Sequence, residues 1–199
     1  MLAVLLARAA GCPLEELLRE RLLEPLGMVD TGFTLPPGKL GRVATRYAAD
    51  GEGRLRPFDA TPVGPAGEPL RFPSEVYSTA ADLLAFGRFL LAGGEHAGRR
   101  LLSANSVAAM TRDHITPAQK ALSPFFPGFW ESHGWGYGLG LTLAQGAVRR
   151  YGWGGGLGTD FACEPARRLV AVLLLQRTYD AAVGEIAGRF WQQVQSAAL

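Results

Sequence analysis

The sequence predicts an α+β fold in which helices come first and an antiparallel sheet with a closing C-terminal helix follows. Three observations carry this. Apolar residues recur at helical spacing as far as about residue 111, and from about Trp135 they alternate with a period of two instead. The candidate strands beyond that point are joined by connections too short for parallel crossovers. One domain, or a large part of one, therefore covers 1–199, with a helical part over 1–112 and strands plus a helix over 135–199.

The first segment, to Ala10, reads as a helix closed by Gly11, a residue suited to helix ends. A second helix is expected from Pro13 to about Glu24. Leu14, Leu17, Leu18 and Leu22 form its apolar face, Glu15, Glu16, Arg19 and Glu20 face water, and Pro25 and Gly27 end it. Residues 34–73 are rich in Pro, Gly and Arg and read as a long surface excursion with one short strand pair, around Val43–Tyr47 and Arg54–Phe58. The pattern Leu83, Leu84, Phe86, Phe89, Leu90 predicts a helix over 80–91, capped by Thr79 with Asp82 and stopped by Gly93-Gly94. Ser103 caps a shorter helix over 104–111.

Tyr137, Leu139, Leu141 and Leu143 alternate with Gly138, Gly140 and Thr142, which predicts a half-buried strand followed by a turn at Gln145-Gly146. Residues 147–153, 157–163 and 168–176 supply three more strands of one meander. Leu169 to Leu175 is almost wholly apolar and is expected to be a central strand covered on both faces. A last helix, over 181–195, is expected to bury Val183, Ile186, Phe190 and Val194.

Composition narrows the function classes. A 199-residue chain that is 48% hydrophobic can bury a core without staples. With 20 basic and 18 acidic residues, the net charge of +2 argues against nucleic acid or an anionic membrane as partner. No apolar run approaches the roughly 20 residues that span a bilayer. The opening segment lacks the basic start of an export signal, and Arg8 interrupts its apolar run. Cys12 and Cys163 allow a disulfide but do not require one.

Residues 151–159, Tyr-Gly-Trp-Gly-Gly-Gly-Leu-Gly-Thr, hold three consecutive glycines between two β-prone segments. Glycines so placed mark a turn, a bulge or a close approach of another molecule to the backbone. They are not a phosphate loop, because no Gly-Lys-Ser/Thr follows and the segment leads into a strand. His96, His114 and His133 lie 18 and 19 residues apart, without metal-ligand spacing. A Ser-His-Asp triad is the weaker nucleophilic reading, since no serine sits in a Gly-x-Ser-x-Gly elbow.

Five segments in consistent order carry a resemblance: Pro13-Leu-Glu-Glu-Leu-Leu-Arg-Glu-Arg-Leu-Leu-Glu-Pro-Leu-Gly-Met28, Asp30-Thr-Gly-Phe33, Tyr77-Ser-Thr-Ala-Ala-Asp-Leu-Leu84, Gly134-Trp-Gly-Tyr-Gly-Leu-Gly140 and Trp153-Gly-Gly. Together they resemble the C-terminal half of the serine β-lactamase and penicillin-binding-protein superfamily, in its class C-like branch of esterases and aminopeptidases. The resemblance implies the β-lactamase/transpeptidase-like fold and hydrolysis of an ester, amide or β-lactam-like small molecule through an acyl-enzyme, with no cofactor. It places Trp153, Gly154 and Gly155 at the strand bordering the substrate and makes the Gly156 N–H one oxyanion donor. Trp153 stands where the family usually carries a lysine. An indole offers one N–H and a ring face rather than a cation, which leans the specificity toward substrates without a carboxylate.

The other two motifs of that family, Ser-x-x-Lys and Tyr-x-Asn, do not occur. Lys39 and Lys120 are preceded at that spacing by Pro36 and Pro117, and no tyrosine has asparagine two positions on. By the resemblance both motifs lie upstream, so the chain is expected to be a fragment and nearly inactive alone, since losing a serine nucleophile can cost about a millionfold in turnover. The alternative is a non-catalytic pseudoenzyme or binding module that keeps the cleft wall. Loss of flanking strands is further expected to leave a sheet edge uncovered and to favour self-association.

Overall fold

The computed structural model describes residues 2–58, 76–123 and 125–197. Residues 59–73 of the expected long excursion, and Ser74, lie outside them.

Helix α1 (Leu2–Ala10) ends at Gly11, whose φ of +71° is the left-handed conformation that glycine adopts without strain. The next helix runs further than Pro25 had led one to expect. It comprises α2 (Leu14–Leu18), a π-helical stretch over Arg19–Leu23 and α3 (Glu24–Leu26), and closes on left-handed Gly27. The wider π turn, with Glu24 N–H reaching back to the Arg19 carbonyl, precedes the one residue that has no N–H to give. Leu26 and Met28, both buried, carry this helix into the core.

The strand pair in the excursion is shifted. Strand β1 is Tyr47–Ala49 and β2 is Leu55–Pro57, whereas Val43 caps a 3-10 turn over Pro37–Arg42. Asp50 sets the register, its Oδ1 accepting from the N–H groups of Glu52 and Arg54, so the strands must abut that turn.

Helix α4 (Ala80–Leu91) has the expected Thr79 cap, whose side chain accepts from Asp82 N–H. Asp82 is itself buried; its Oδ2 accepts from Asp30 N–H at 2.9 Å and Thr31 Oγ1 at 2.7 Å, tying the Asp30-Thr31-Gly32 loop to the helix start. A hairpin not foreseen in the sequence follows, β3 (Glu95–His96) and β4 (Arg99–Arg100), turning at left-handed Ala97 and Gly98. Helix α5 (Ala104–Met110) starts at Ser103 as expected. Two further short helices were also unforeseen: α6 (Pro117–Leu122), opened by a Thr116/Gln119 capping box, and α7 (Phe129–Ser132).

The sheet is a five-stranded antiparallel meander in the order β5-β6-β7-β8-β9: β5 (His133–Trp135), β6 (Gly140–Ala144), β7 (Ala147–Gly155), β8 (Thr159–Glu164) and β9 (Leu169–Leu174). The strand expected to begin at Tyr137 begins at Gly140, because Gly136 N–H bonds the Leu139 carbonyl across a turn through left-handed Gly138. The expected central strand is corrected as well, since β9 ends the sheet. Its apolar run answers to helices on both faces rather than to strands on both sides. Phe161 meets Phe86 of α4 at 6.0 Å, and Gly87 lies so close to Val170 that a Cβ there would stand 2.5 Å from Cγ1. Helix α8 (Ala181–Ser196) also packs on β9. Adjacent Asp160, pointing the other way, accepts from α8 Trp191 Nε1 at 2.6 Å. Of the four residues α8 was expected to bury, Val183 is buried, Phe190 and Val194 are half-buried, and Ile186 is exposed.

Leu26, Met28, Phe89, Leu90, Leu139, Leu141, Tyr151 and Cys163 form the core between α3, α4 and the sheet. No helix among the described residues is long and apolar enough to cross a membrane.

Candidate active site

Strand β7 carries the glycine-rich segment into the site, and each glycine has a different reason to be there. At Gly152 the neighbouring strand comes so near that a Cβ would lie 1.9 Å from the Phe161 carbonyl oxygen. At Gly155 a Cβ would meet Thr159 Oγ1 at 2.6 Å. Gly158 is left-handed (φ +75°) and packs under the Arg177 carbonyl, which turns the chain into β8. Gly156 differs, with nothing within 4 Å of where its Cβ would stand.

The turn is fixed on both flanks. The Gly156 carbonyl accepts from Tyr179 N–H at 2.7 Å, the Gly155 carbonyl from Gly158 N–H at 3.1 Å, and the Gly158 carbonyl from Leu175 N–H at 3.2 Å. The Gly156 N–H has no hydrogen-bond partner among the described residues. A solvent-exposed turn, anchored on both flanks, thus carries an unpaired amide donor, a group that an anionic oxygen can use.

Trp153 is 46% exposed and its indole lies over Gly140, where a Cβ would stand 2.6 Å from Cε3. The indole meets Trp135 edge-on at 4.5 Å between centroids, with Phe125 at 6.3 Å. Trp135 is held in turn by Asp113, whose Oδ1 accepts its N–H at 3.0 Å while Oδ2 pairs with Lys120 Nζ at 2.6 Å. Lys120 also donates to the His133 carbonyl at 3.2 Å, so one ion pair ties α6 to strand β5. Burial raises the Asp113 pKa, but hydrogen bonds from Lys120, Trp135 N–H and Ile115 N–H outweigh it and hold the carboxyl below its ordinary range.

A cavity of ≈ 130 Å³ lies along the sheet face that α8 covers, lined by Gly152, Trp153, Gly154, Arg150, Asp160 and Trp191 among others. Arg150 stacks over Trp191 at 4.1 Å, and burial lowers its pKa against the opposing pull of Glu164 and Asp160.

The remaining nucleophile candidates fail on chemistry. Cys12 and Cys163 are both free, and burial pushes the Cys163 thiol up to about 12, which leaves it protonated and inert. Ser132 Oγ sits 3.0 Å from His133 Nδ1, but the same nitrogen lies 3.0 Å from the Phe129 carbonyl. No carboxylate bonds His133 among the described residues, so the pair lacks the third member that orients a catalytic imidazole. No group of His, Cys, Asp or Glu among the described residues could hold a metal ion.

Of the residues singled out in the sequence, Trp153, Gly154, Gly155 and Gly156 fall on one strand end and its turn, and Trp153 and Gly154 share the cavity. Sequence reasoning passed over Asp113, Lys120 and Phe125. The aromatic run Phe125-Phe-Pro-Gly-Phe-Trp130 was the available signal for the last of these.

A protein-family model described as Beta-lactamase matches residues 1–196. Protein Rv1367c of Mycobacterium tuberculosis is 33% identical over 199 aligned residues, which span 94% of this chain and 49% of that protein. Among solved structures, simvastatin synthase (LovD) from Aspergillus terreus is similar with a TM-score of 0.78 and 22% identity, over 98% of this chain and 54% of that one. A penicillin-binding protein from Bacillus halodurans is similar with a TM-score of 0.67 and 18% identity, over 96% and 53% respectively. The chain thus spans about half the length of the relatives it matches.

Proposed function

The chain belongs to the beta-lactamase family, and on that premise we propose that β7 and its following turn form the substrate-side wall of an acyl-transfer cleft. The observation that carries this reading is the amide of exposed Gly156, unpaired among the described residues on a turn anchored at both flanks. A substrate carbonyl laid against Gly154-Gly155 would bring its oxygen to that N–H. The negative charge then grows on an oxygen already facing a donor, an arrangement worth about 3–4 kcal/mol of barrier.

The reaction in this reading is hydrolysis of an ester or amide through an acyl-enzyme. Trp153 supplies a ring face at the rim and no cation, which favours a substrate arm without a carboxylate over a β-lactam. The nucleophile and its base are not among this chain's residues. Its serines lack lysine three positions on, and its buried thiol is protonated. The chain by itself therefore keeps only what a donor and a binding surface contribute.

The sheet edge enters this proposal too. Strand β9 has β8 as its one neighbour among the described residues, so a second extended segment, such as β9 of another copy, has a row of backbone groups to pair with.

A chromogenic ester and a chromogenic cephalosporin offered to the purified chain test the catalytic reading. The expected outcome is no turnover above the buffer rate with either. Turnover that persists undiminished in both Gly156→Pro and Trp153→Ala would remove the assignment of the cleft.

A further inference from the structure

Beside the Gly156 turn lies an aromatic surface that neither the core nor the oxyanion reading uses. Phe125 is 59% exposed, Phe126 52% and Trp153 46%, and half-buried Trp135 joins them. The four form one connected surface. Phe125 meets Phe126 at 5.2 Å, Trp135 at 6.4 Å and Trp153 at 6.3 Å, and Trp135 meets Trp153 at 4.5 Å. Contiguous exposed rings on a soluble surface mark a place where something apolar binds.

Two further observations say that the surface is built. Phe125 sits at φ +54°, in the left-handed region that a bulky side chain rarely adopts, and in that conformation its ring touches four others, Phe129 included. Strain of this kind gathers at binding and catalytic positions, where the surrounding structure enforces it. The nearby cation is neutralised as well, since Lys120 pairs with Asp113 while resting 5.5 Å from the Trp130 ring. The rings thus present apolar faces beside a lysine that is already paired.

We propose that Trp153, Trp135, Phe125 and Phe126 form the subsite for an uncharged apolar arm of the substrate, a medium-length acyl chain or an aryl group. This rests on the reading of Gly156 as the donor to the substrate carbonyl. Continuity along the chain selects this occupant, because Trp153 lies on β7 three positions before Gly156, the first residue of its turn, at most about 10 Å away by the rise of a strand. A carbonyl oxygen at Gly156 therefore places the end of an octanoyl chain on the rings, while a butanoyl chain stops short of them. Each methylene taken out of water raises affinity about fourfold. Partial burial of the four that distinguish the two chains still predicts a preference of at least tenfold.

The test uses stable carbonyl probes, N-methyloctanamide and N-methylbutanamide, titrated into the ¹⁵N-labelled chain. Its four tryptophans give four indole N–H signals, of which those of Trp135 and Trp153 report on the rings. The expected result is a saturable shift of the Trp135 and Trp153 signals with N-methyloctanamide and binding at least tenfold weaker for N-methylbutanamide. Trp153→Ala and Phe125→Asn should each weaken the longer amide at least fivefold. Asparagine accepts left-handed backbone, so the second variant keeps the turn and removes the ring.

Equal affinity for the two amides, or no saturable response of Trp135 and Trp153, overturns the subsite. So does broadening of those two signals with protein concentration alone, which would make the rings a contact between copies. The Gly156 amide signal reports separately on the cleft. Indoles that respond while Gly156 stays still keep the subsite and remove the oxyanion reading; a Gly156 response without the indoles does the reverse.

Discussion

At Asp113 one carboxylate holds a strand, a helix and a ring in place at once. Its hydrogen bonds to Lys120, Trp135 N–H and Ile115 N–H keep its pKa below the ordinary value of about 3.9 despite burial. A depressed folded-state pKa contributes stability that is present above the unfolded value and lost as pH falls through the folded one. Amide exchange, corrected for its intrinsic pH dependence, should therefore show Trp135 and Ile115 losing protection as pH drops below about 4. Asp113→Asn should show weaker protection at neutral pH and little further loss in acid. Protection in the unmodified chain that is indifferent to acid would contradict this role. The contrast with Trp153–Gly156 is instructive. Three glycines between β-prone segments announce a special backbone, and they could be read directly. Asp113 gives no such signal, because its partners are 7 and 22 positions away and meet it only once α6 and β5 have folded.

Strand β9 shows where pattern stops informing at the scale of an element. Its apolar run was correctly read as covered on both faces, but α4 and α8 do the covering, and a run of Leu and Val does not distinguish a helix on its face from a strand at its side. The other misses share a physical cause. The strands of hairpin β3–β4 are two residues each, and α6 and α7 are likewise too short for periodicity to register. The long elements α4, β7, β8 and α8 were readable because many residues repeat one signal. Left with one strand neighbour, β9 should pair with its counterpart on another copy. Light scattering is expected to show association that grows with concentration and weakens in Leu174→Lys, which sets a charge at the exposed end of the edge. A monodisperse monomer at high concentration would count against it.

In the proposed reading, the whole molecule carries one wall of a cleft on a five-stranded meander. Helix α4 backs the sheet on one face and α8 on the other, and the Tyr179 N–H ties the β7 turn to the loop before α8. The order of the fold followed from the sequence because alternation and short connections leave few antiparallel topologies. The aromatic surface did not, because Phe125 and Trp153 are brought together by folding across the sheet. The central claim is that Gly156 N–H stabilises a developing oxyanion, and a chimera tests it most directly. The β7-turn segment 151–159 replaces its counterpart in a catalytically competent member of the family, which supplies the nucleophile, and kcat is measured on a chromogenic ester. The account predicts a chimera that turns over and a Gly156→Pro version, equally folded, in which kcat falls about 10²–10³-fold. A folded chimera whose kcat is the same with glycine or proline at 156 would contradict it.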